Sequence, residues 1–316
     1  MSMDQAERLR ELAKNRPPQE PAAAGVSYIT PPPEVVHAPQ SSAPTAAFGK
    51  DTRVIAVTSG KGGVGKTNFT VNLAIALREA GSRVLILDAD LGMANVDIVI
   101  GSSSKKFLLN LLDDGVELAD VLVHGPYGVE FIPGGSGLEK AQTLHDDERR
   151  ILLEKLAGVG SLADIILIDT GAGLGKNVMD FILAAGEVLL VTTPEPTSLT
   201  DAYAVMKAYS RYAEHPDLQL VVNRVYDDRE SRDVTAKLQQ TAERFLHMEV
   251  GCLGYLYEDT SVMRAVRRQT PFYVATPDAI ASRCVRAMAQ SLLYGTPVVV
   301  ERGWRGFLQR IFHFSR

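Results

Sequence analysis

Between Asp51 and Tyr294 short apolar runs alternate with longer stretches in which apolar residues recur at helical spacing. The runs are Val54 to Thr58, Val84 to Asp88, Val96 to Ile100, Val129 to Ile132, Ile165 to Asp169, Val188 to Thr192, Leu218 to Asn223, Val250 to Tyr255 and Phe272 to Val274, each predicted as a strand. Several are unbroken Val/Ile/Leu sequences, as expected of strands covered by helices on both faces. The alternation predicts an α/β fold, a doubly wound and mostly parallel β-sheet flanked by helices. No internal repeat interrupts it.

The flanks read differently. Residues 1–16 predict a short helix, with Ser2 and Gln5 as a capping box and Met3, Ala6, Leu9, Leu12 and Ala13 as a partial apolar face. Residues 17–50 hold eight of the sixteen prolines, a composition that predicts an extended, disordered linker. The α/β domain is assigned residues 51–294 and a terminal helix residues 295–316. On that last helix Trp304, Phe307, Leu308, Ile311, Phe312 and Phe314 fall within an arc of roughly 160°, with Arg305, Gln309, Arg310, His313 and Arg316 opposite. An aromatic face, an arginine face and no acid after Glu301 predict a helix lying in an anionic membrane surface, the alternative being a terminal helix docked on the protein's own core.

A net charge of −5 gives no general case for nucleic-acid binding. Apolar residues make up 46% of the chain, ample for a core, yet no run approaches the roughly 20 residues of a membrane span. The polar start is no signal peptide, so a cytoplasmic protein is expected. Cys252 and Cys284 are far apart in sequence and are expected as buried, inert thiols.

The chemistry starts at Gly60-Lys61-Gly62-Gly63-Val64-Gly65-Lys66-Thr67, between the first strand and a helix carrying Phe69, Leu73, Ala76, Leu77 and Ala80. This is a phosphate-binding loop: glycines turn backbone N–H groups inward, Lys66 supplies a point charge and the Thr67 hydroxyl is placed to ligate Mg²⁺. Two other strands end in acid, one in Asp88 and Asp90, the other in Asp169. Ligands of such sheets sit at the carboxyl ends of the strands, and carboxylates there can hold metal waters or orient an attacking water.

Lys61, a second lysine in the loop, makes it resemble the deviant Walker A loop of the MinD/ParA ATPases. The resemblance implies an ATP- and Mg²⁺-dependent homodimer in which Lys61 reaches the partner's nucleotide. It further implies catalytic roles for Lys61, Lys66, Asp90 and Asp169, with Asp90 positioning the hydrolytic water, and Thr67, Asp88 and Asp169 around the metal. Asn68 belongs to the nucleotide set with the loop. Asn95 and Asp201 match switch or dimer positions, Asn223 matches the residue that meets the adenine, and Glu258 lies in a segment that runs along the adenosine, where Tyr257 replaces the usual proline.

The run Asp4-Gln5-Ala6-Glu-Arg-Leu9-Arg10 resembles a motif of the FlhG (YlxH, FleN) family of flagellar-number ATPases, which are relatives of MinD. That resemblance implies stimulation of the GTPase FlhF through Asp4, Gln5, Ala6, Leu9 and Arg10. It also implies flagellar switch-complex (C-ring) proteins or a flagellar transcription regulator as partners, and reversible association with the inner face of the cell membrane. A division-site MinD and a ParA-like DNA-segregation ATPase are the alternatives.

Overall fold

The computed structural model describes residues 52–90, 95–102, 105–134, 145–212 and 215–295, together with Leu308 and Ile311. Eight strands form one sheet: β1 (Arg53–Ser59), β2 (Val84–Ala89), β3 (Val123–His124), β4 (Glu130–Pro133), β5 (Ile165–Ala172), β6 (Glu187–Thr192), β7 (Asp217–Val225) and β8 (Gly251–Tyr257). Their spatial order is β3-β4-β2-β5-β1-β6-β7-β8, and every neighbouring pair is parallel except β3 with β4. The α-helices are α1 (Lys66–Glu79), α2 (Val96–Ile100), α3 (Leu118–Val121), α4 (Asp146–Ala157), α5 (Val159–Leu162), α6 (Lys176–Ala184), α7 (Pro196–Tyr209), α8 (Asp228–Leu246), α9 (Thr260–Arg267), α10 (Phe272–Ala275) and α11 (Ile280–Tyr294).

Unbroken apolar strands are needed because the sheet is buried on both sides. Along β1, Val54 and Ala56 face the core cluster beneath α4 and α6 to α8, while Ile55 and Val57 face the one beneath α1 and α11. The same alternation divides Leu85 and Leu87 from Val84 and Ile86, and Ile166 and Ile168 from Ile165 and Leu167. The central strands β1, β2 and β5 therefore each contribute to two cores, and a polar residue in the middle of any of them would be buried.

Two predicted strands are helices. Val96–Ile100 forms α2 because the Asp88 carboxylate accepts hydrogen bonds from the Asn95 and Val96 N–H groups at 3.1 and 3.2 Å, while Val96 and Ile100, four apart, bury one face. Phe272–Ala275 forms the single turn α10 after Pro271, with the Tyr273 N–H donating to Asn72 Oδ1 of α1 at 2.8 Å. The two-residue antiparallel β3 gave no apolar run to detect.

The cysteines also depart from expectation. Cys252 is exposed on the edge strand β8, whereas Cys284 is half-buried on α11, where burial pushes its thiol upward. Leu308, expected on a membrane-facing surface, is only 3% exposed and joins the cluster beneath α6 to α8, with the half-buried Ile311 packed against it. A face apolar enough for lipid is apolar enough for the protein's own core. Trp304, Phe307 and Phe312, the helix predicted over 1–16 and the linker over 17–50 lie outside the described residues. Among the described residues no helix is long and apolar enough to cross a membrane.

Asp180 of α6 is 5% exposed, and burial, opposed by Lys176, pushes its carboxyl from 3.8 up to about 6. A carboxyl raised in the fold penalises its ionised form, so stability is lost as pH rises from about 4 through about 6. Asp180→Asn is therefore expected to gain on the wild type by about 1–2 kcal/mol between pH 4.5 and pH 7.5. Urea denaturation at both pH values checks this, and a gap that does not change with pH contradicts it.

Candidate active site

The loop between β1 and α1 is held at its ends and open at its rim. A Cβ on Gly60 would stand 2.3 Å from the Asp201 main chain of α7, and one on Gly65, whose φ is +94°, would stand 2.5 Å from Asn223 Nδ2. At Gly62 and Gly63 a Cβ would meet nothing within 4 Å. No side chain caps α1, so the N–H groups of its first turn remain turned toward the loop as an anion-binding end.

Beside that end, sheet register assembles the acids. Val57 pairs with Asp169, and Asp88 pairs with Asp169, so β5 places its carboxylate between the strand that feeds the loop and the strand that carries Asp88. Asp169 Oδ1 accepts from Lys66 Nζ at 2.9 Å and from Thr70 Oγ1 at 3.0 Å, and Oδ2 accepts from Thr67 Oγ1 at 2.7 Å. Both members of the ion pair are buried.

Asp88 is 1% exposed, and its carboxyl is pushed up to about 7 by burial first and by Asp169 second. Bonds from the Asp90 and Val96 N–H groups, and the charge of Lys66, oppose that rise. Oxygen ligands of this kind suit a hard divalent cation, whose charge would oppose the rise at Asp88. Asp90, next along the chain, has its carboxylate beside Gly171, where a Cβ would lie 3.8 Å from Asp90 Oδ1. Asn95 caps the turn into α2 through its main chain.

Lys61 projects from the exposed rim. Its Nζ lies 2.9 Å from Glu195 Oε2 and 2.9 Å from Thr197 Oγ1, both at the start of α7 of the same chain, and holds the Glu195 carboxyl below its usual range. An exposed pair of this type is screened by solvent, so little holds the lysine back from another anion.

On the other side of the loop a groove of about 310 Å³ runs from Gly65, Asn68 and Phe69 past Asn223, Leu256, Tyr257 and Glu258 to Met263, Val266 and Phe272. Its size and mixed lining suit a small ligand. Asn223 Nδ2 donates to Val64 O at 2.7 Å and Asn223 Oδ1 accepts from the Arg224 N–H at 2.9 Å, which ties the end of β7 to the loop. Asn68 accepts from Asn72 Nδ2 through its main-chain oxygen at 2.6 Å and its Oδ1 at 2.8 Å. Tyr257 turns its hydroxyl to Asp228, which also accepts from Tyr255, so the residue in the proline position anchors β8 to α8.

The predicted phosphate loop, Asp88, Asp90, Asp169, Asn95, Asp201, Asn223 and Glu258 are thus gathered at the carboxyl edge of the sheet. Sequence reasoning missed Thr70, which shares Asp169, and Glu195 and Thr197, which hold Lys61. Only the helical spacing of Thr70 from Lys66 offered a signal. Asp4, Gln5, Ala6, Leu9 and Arg10 lie outside the described residues. The open loop rim, the uncapped α1, the oxygen donors and the groove together fit a magnesium nucleotide. Lys66 and the first turn of α1 would hold its phosphates, Thr67 and Asp169 its metal, and the groove its nucleoside.

Residues 52–220 match the AAA domain family. The chain is 42% identical over 240 residues to the antiactivator FleN of Pseudomonas aeruginosa, covering 76% of this chain and 86% of FleN. It is 32% identical over 269 residues to the flagellum site-determining protein YlxH of Helicobacter pylori, covering 84% of this chain and 91% of YlxH. Among solved structures, the septum site-determining protein MinD of Pyrococcus horikoshii complexed with Mg-ADP superposes with a TM-score of 0.60 at 28% identity, covering 77% of this chain and 98% of that one.

Two substitutions test the geometry. Asp169→Ala strands the buried Lys66 charge and is expected to cost about 3–5 kcal/mol in urea denaturation, together with loss of ATP turnover. Asn223→Ala frees the Val64 carbonyl, and is expected to weaken ATP binding about tenfold by titration calorimetry while costing only about 1–2 kcal/mol of stability. Unchanged nucleotide affinity in Asn223→Ala would show that the tie to Val64 plays no part in binding.

Proposed function

The chain belongs to the FleN/FlhG family of MinD-like P-loop ATPases, and on that premise we propose that it is an ATP-driven dimerisation switch controlling flagellar number or placement. The observation that carries this reading is the Lys66–Thr67–Asp169 cluster, with contacts of 2.9 and 2.7 Å, beside an open phosphate loop. Mg-ATP, when bound, supplies the phosphoanhydride and the cation that neutralises its charge. Lys66 and the α1 N–H groups orient the phosphates, Thr67 and Asp169 hold the metal, and Asp90 aligns water beside Gly171. Lys61 exchanges Glu195 for the nucleotide of a second copy, which makes turnover slow and dimer-dependent. The name antiactivator, borne by the Pseudomonas relative, supports restraint of a flagellar transcription regulator as one output; site-determining, borne by the Helicobacter relative, supports placement as another.

Membrane association and partner activation belong to the same proposal. With Leu308 in the core, that side chain of the terminal helix would have to leave the cluster before it could meet an anionic bilayer. One such helix binds marginally, whereas two on a dimer gain by avidity, so the chain is read as cytoplasmic and reversibly bound to the inner face of the membrane. Residues 1–16, on their proline-rich tether, are read as the stimulator of the FlhF GTPase, and switch-complex proteins as further partners.

Size-exclusion light scattering with ATP and with ADP, on the wild type and Asp90→Ala, tests the switch. A dimer is expected only with ATP, and Asp90→Ala should trap it; a monomer in every condition refutes the cross-dimer role of Lys61. The trapped dimer is further expected to sediment with anionic liposomes several-fold more than the ADP form. Equal sedimentation of the two would remove nucleotide control of location.

A further inference from the structure

Helix α9 carries a surface at the mouth of the groove that the nucleotide reading uses only in part, since Arg264 and Arg268 lie outside the groove lining. Its Ser261 and Ala265 are buried, while Met263 is 54% and Val266 48% exposed. At about 100° per residue, Val266, Met263, Arg267 and Arg264 follow one another around an exposed arc of about 160°, so an apolar pair lies directly beside a basic pair. Arg268 follows at the end of the helix, exposed like Arg264 and Arg267. None of these three arginines forms an ion pair among the described residues. Their position in the last turn suits the helix dipole, but the dipole gives no reason to expose two large apolar side chains beside them.

The placement adds meaning to the composition. Met263, Val266 and Arg267 also line the groove that begins at Gly65, so the face lies at the mouth of the candidate nucleotide site. The end of the same helical segment abuts the segment after Asp90: Gln269, with φ +50°, has its main-chain oxygen 3.1 Å from where a Cβ would stand on Gly101. The α9 segment therefore borders both the groove and, through Gln269, the end of α2.

We propose that the exposed face of α9 is a docking surface for an acidic, apolar-anchored segment of a partner protein. Acidic groups meet Arg264, Arg267 and Arg268, and apolar anchors cover Met263 and Val266. Charge argues against residues 1–16 and residues 295–316 as occupants. Residues 1–16 set Asp4, Glu7 and Glu11 against Arg8, Arg10, Lys14 and Arg16, and residues 295–316 set Glu301 against Arg302, Arg305, Arg310 and Arg316. A second copy pairing the same face symmetrically would bring arginine against arginine. Duplex DNA would use the arginines but leave the apolar pair without a partner.

The test uses the full chain saturated with Mg-ADP, so that the groove is filled. The probe is a fluorescein-labelled peptide of roughly 18 residues, with leucine at one helical stripe and glutamate elsewhere. Its lysine counterpart and a DNA duplex serve as controls, all read by anisotropy. The acidic peptide is expected to bind, and the double variant Arg264→Glu/Arg268→Glu to bind it at least tenfold more weakly with ADP affinity unchanged, since neither residue lines the groove. If the charge reversal does not fold, Arg264→Ala/Arg268→Ala is expected to give the same direction of change. No binding of the acidic peptide, equal binding by wild type and variant, or binding of DNA alone with loss in the variant overturns the proposal, the last assigning the face to nucleic acid.

Discussion

The buried pair between Lys66 and Asp169 is the constraint on which the site depends. It joins the phosphate loop, the first turn of α1 and the carboxyl end of β5 in one contact of 2.9 Å, with Thr67 and Thr70 also donating to the carboxylate. Taking both charges out of water costs several kcal/mol per ion, so such a pair is poor evidence of stability for its own sake. What it secures is position. Lys66 is held against the sheet within the loop that needs its charge, and the two oxygens of Asp169 are presented to the lysine and the Thr67 hydroxyl together.

The same crowding makes the site responsive. Register places Asp88 directly beside Asp169 on the neighbouring strand, both essentially sealed from solvent. Burial and that neighbour push the Asp88 carboxyl up to about 7, so its charge is held at a cost near neutral pH. The carboxylate also accepts from the N–H groups of Asp90, Asn95 and Val96, which makes it the fixed point around which the segment carrying Asp90 turns into α2. A cation beside Asp169 would favour the ionised form of Asp88, the group that accepts from the Asn95 and Val96 N–H groups at the start of α2. Electrostatics and segment geometry are therefore coupled through one side chain.

Much of this was legible in the sequence because the constraints are local or periodic. A sheet covered on both faces forces apolar runs, a phosphate loop forces glycines, and acids at the ends of strands stand out against aliphatic neighbours. The failures came where a distant contact decides. Val96–Ile100 has the composition of a strand, and what makes it α2 is a carboxylate at residue 88. Lys61 was readable as a loop lysine, but Glu195 and Thr197, its partners in this chain, lie 134 and 136 residues away. The aromatic terminal helix was readable as amphipathic, and amphipathicity specifies that a face must be covered without saying by what; for Leu308 the cover is the protein's own core.

The two ends of the domain leave the sheet together, and this bears on how a nucleotide could govern both. Arg53, at the start of β1, makes a bidentate pair with the buried Glu187 and donates from Nη1 to the Leu292 carbonyl at 2.6 Å. The start of β1 and the end of α11 thus meet at a single clasp on the amino edge of the sheet, opposite the carboxyl edge where the loop and the acids gather. Between the two edges run β1 and α1, which carry the loop and Lys66, and α11, which packs on α1 and ends at the clasp. Close-packed elements transmit displacement poorly by bending and well by moving as a body. A switch that acts on both ends is therefore better served by a change in what a second copy covers than by a signal relayed through the core.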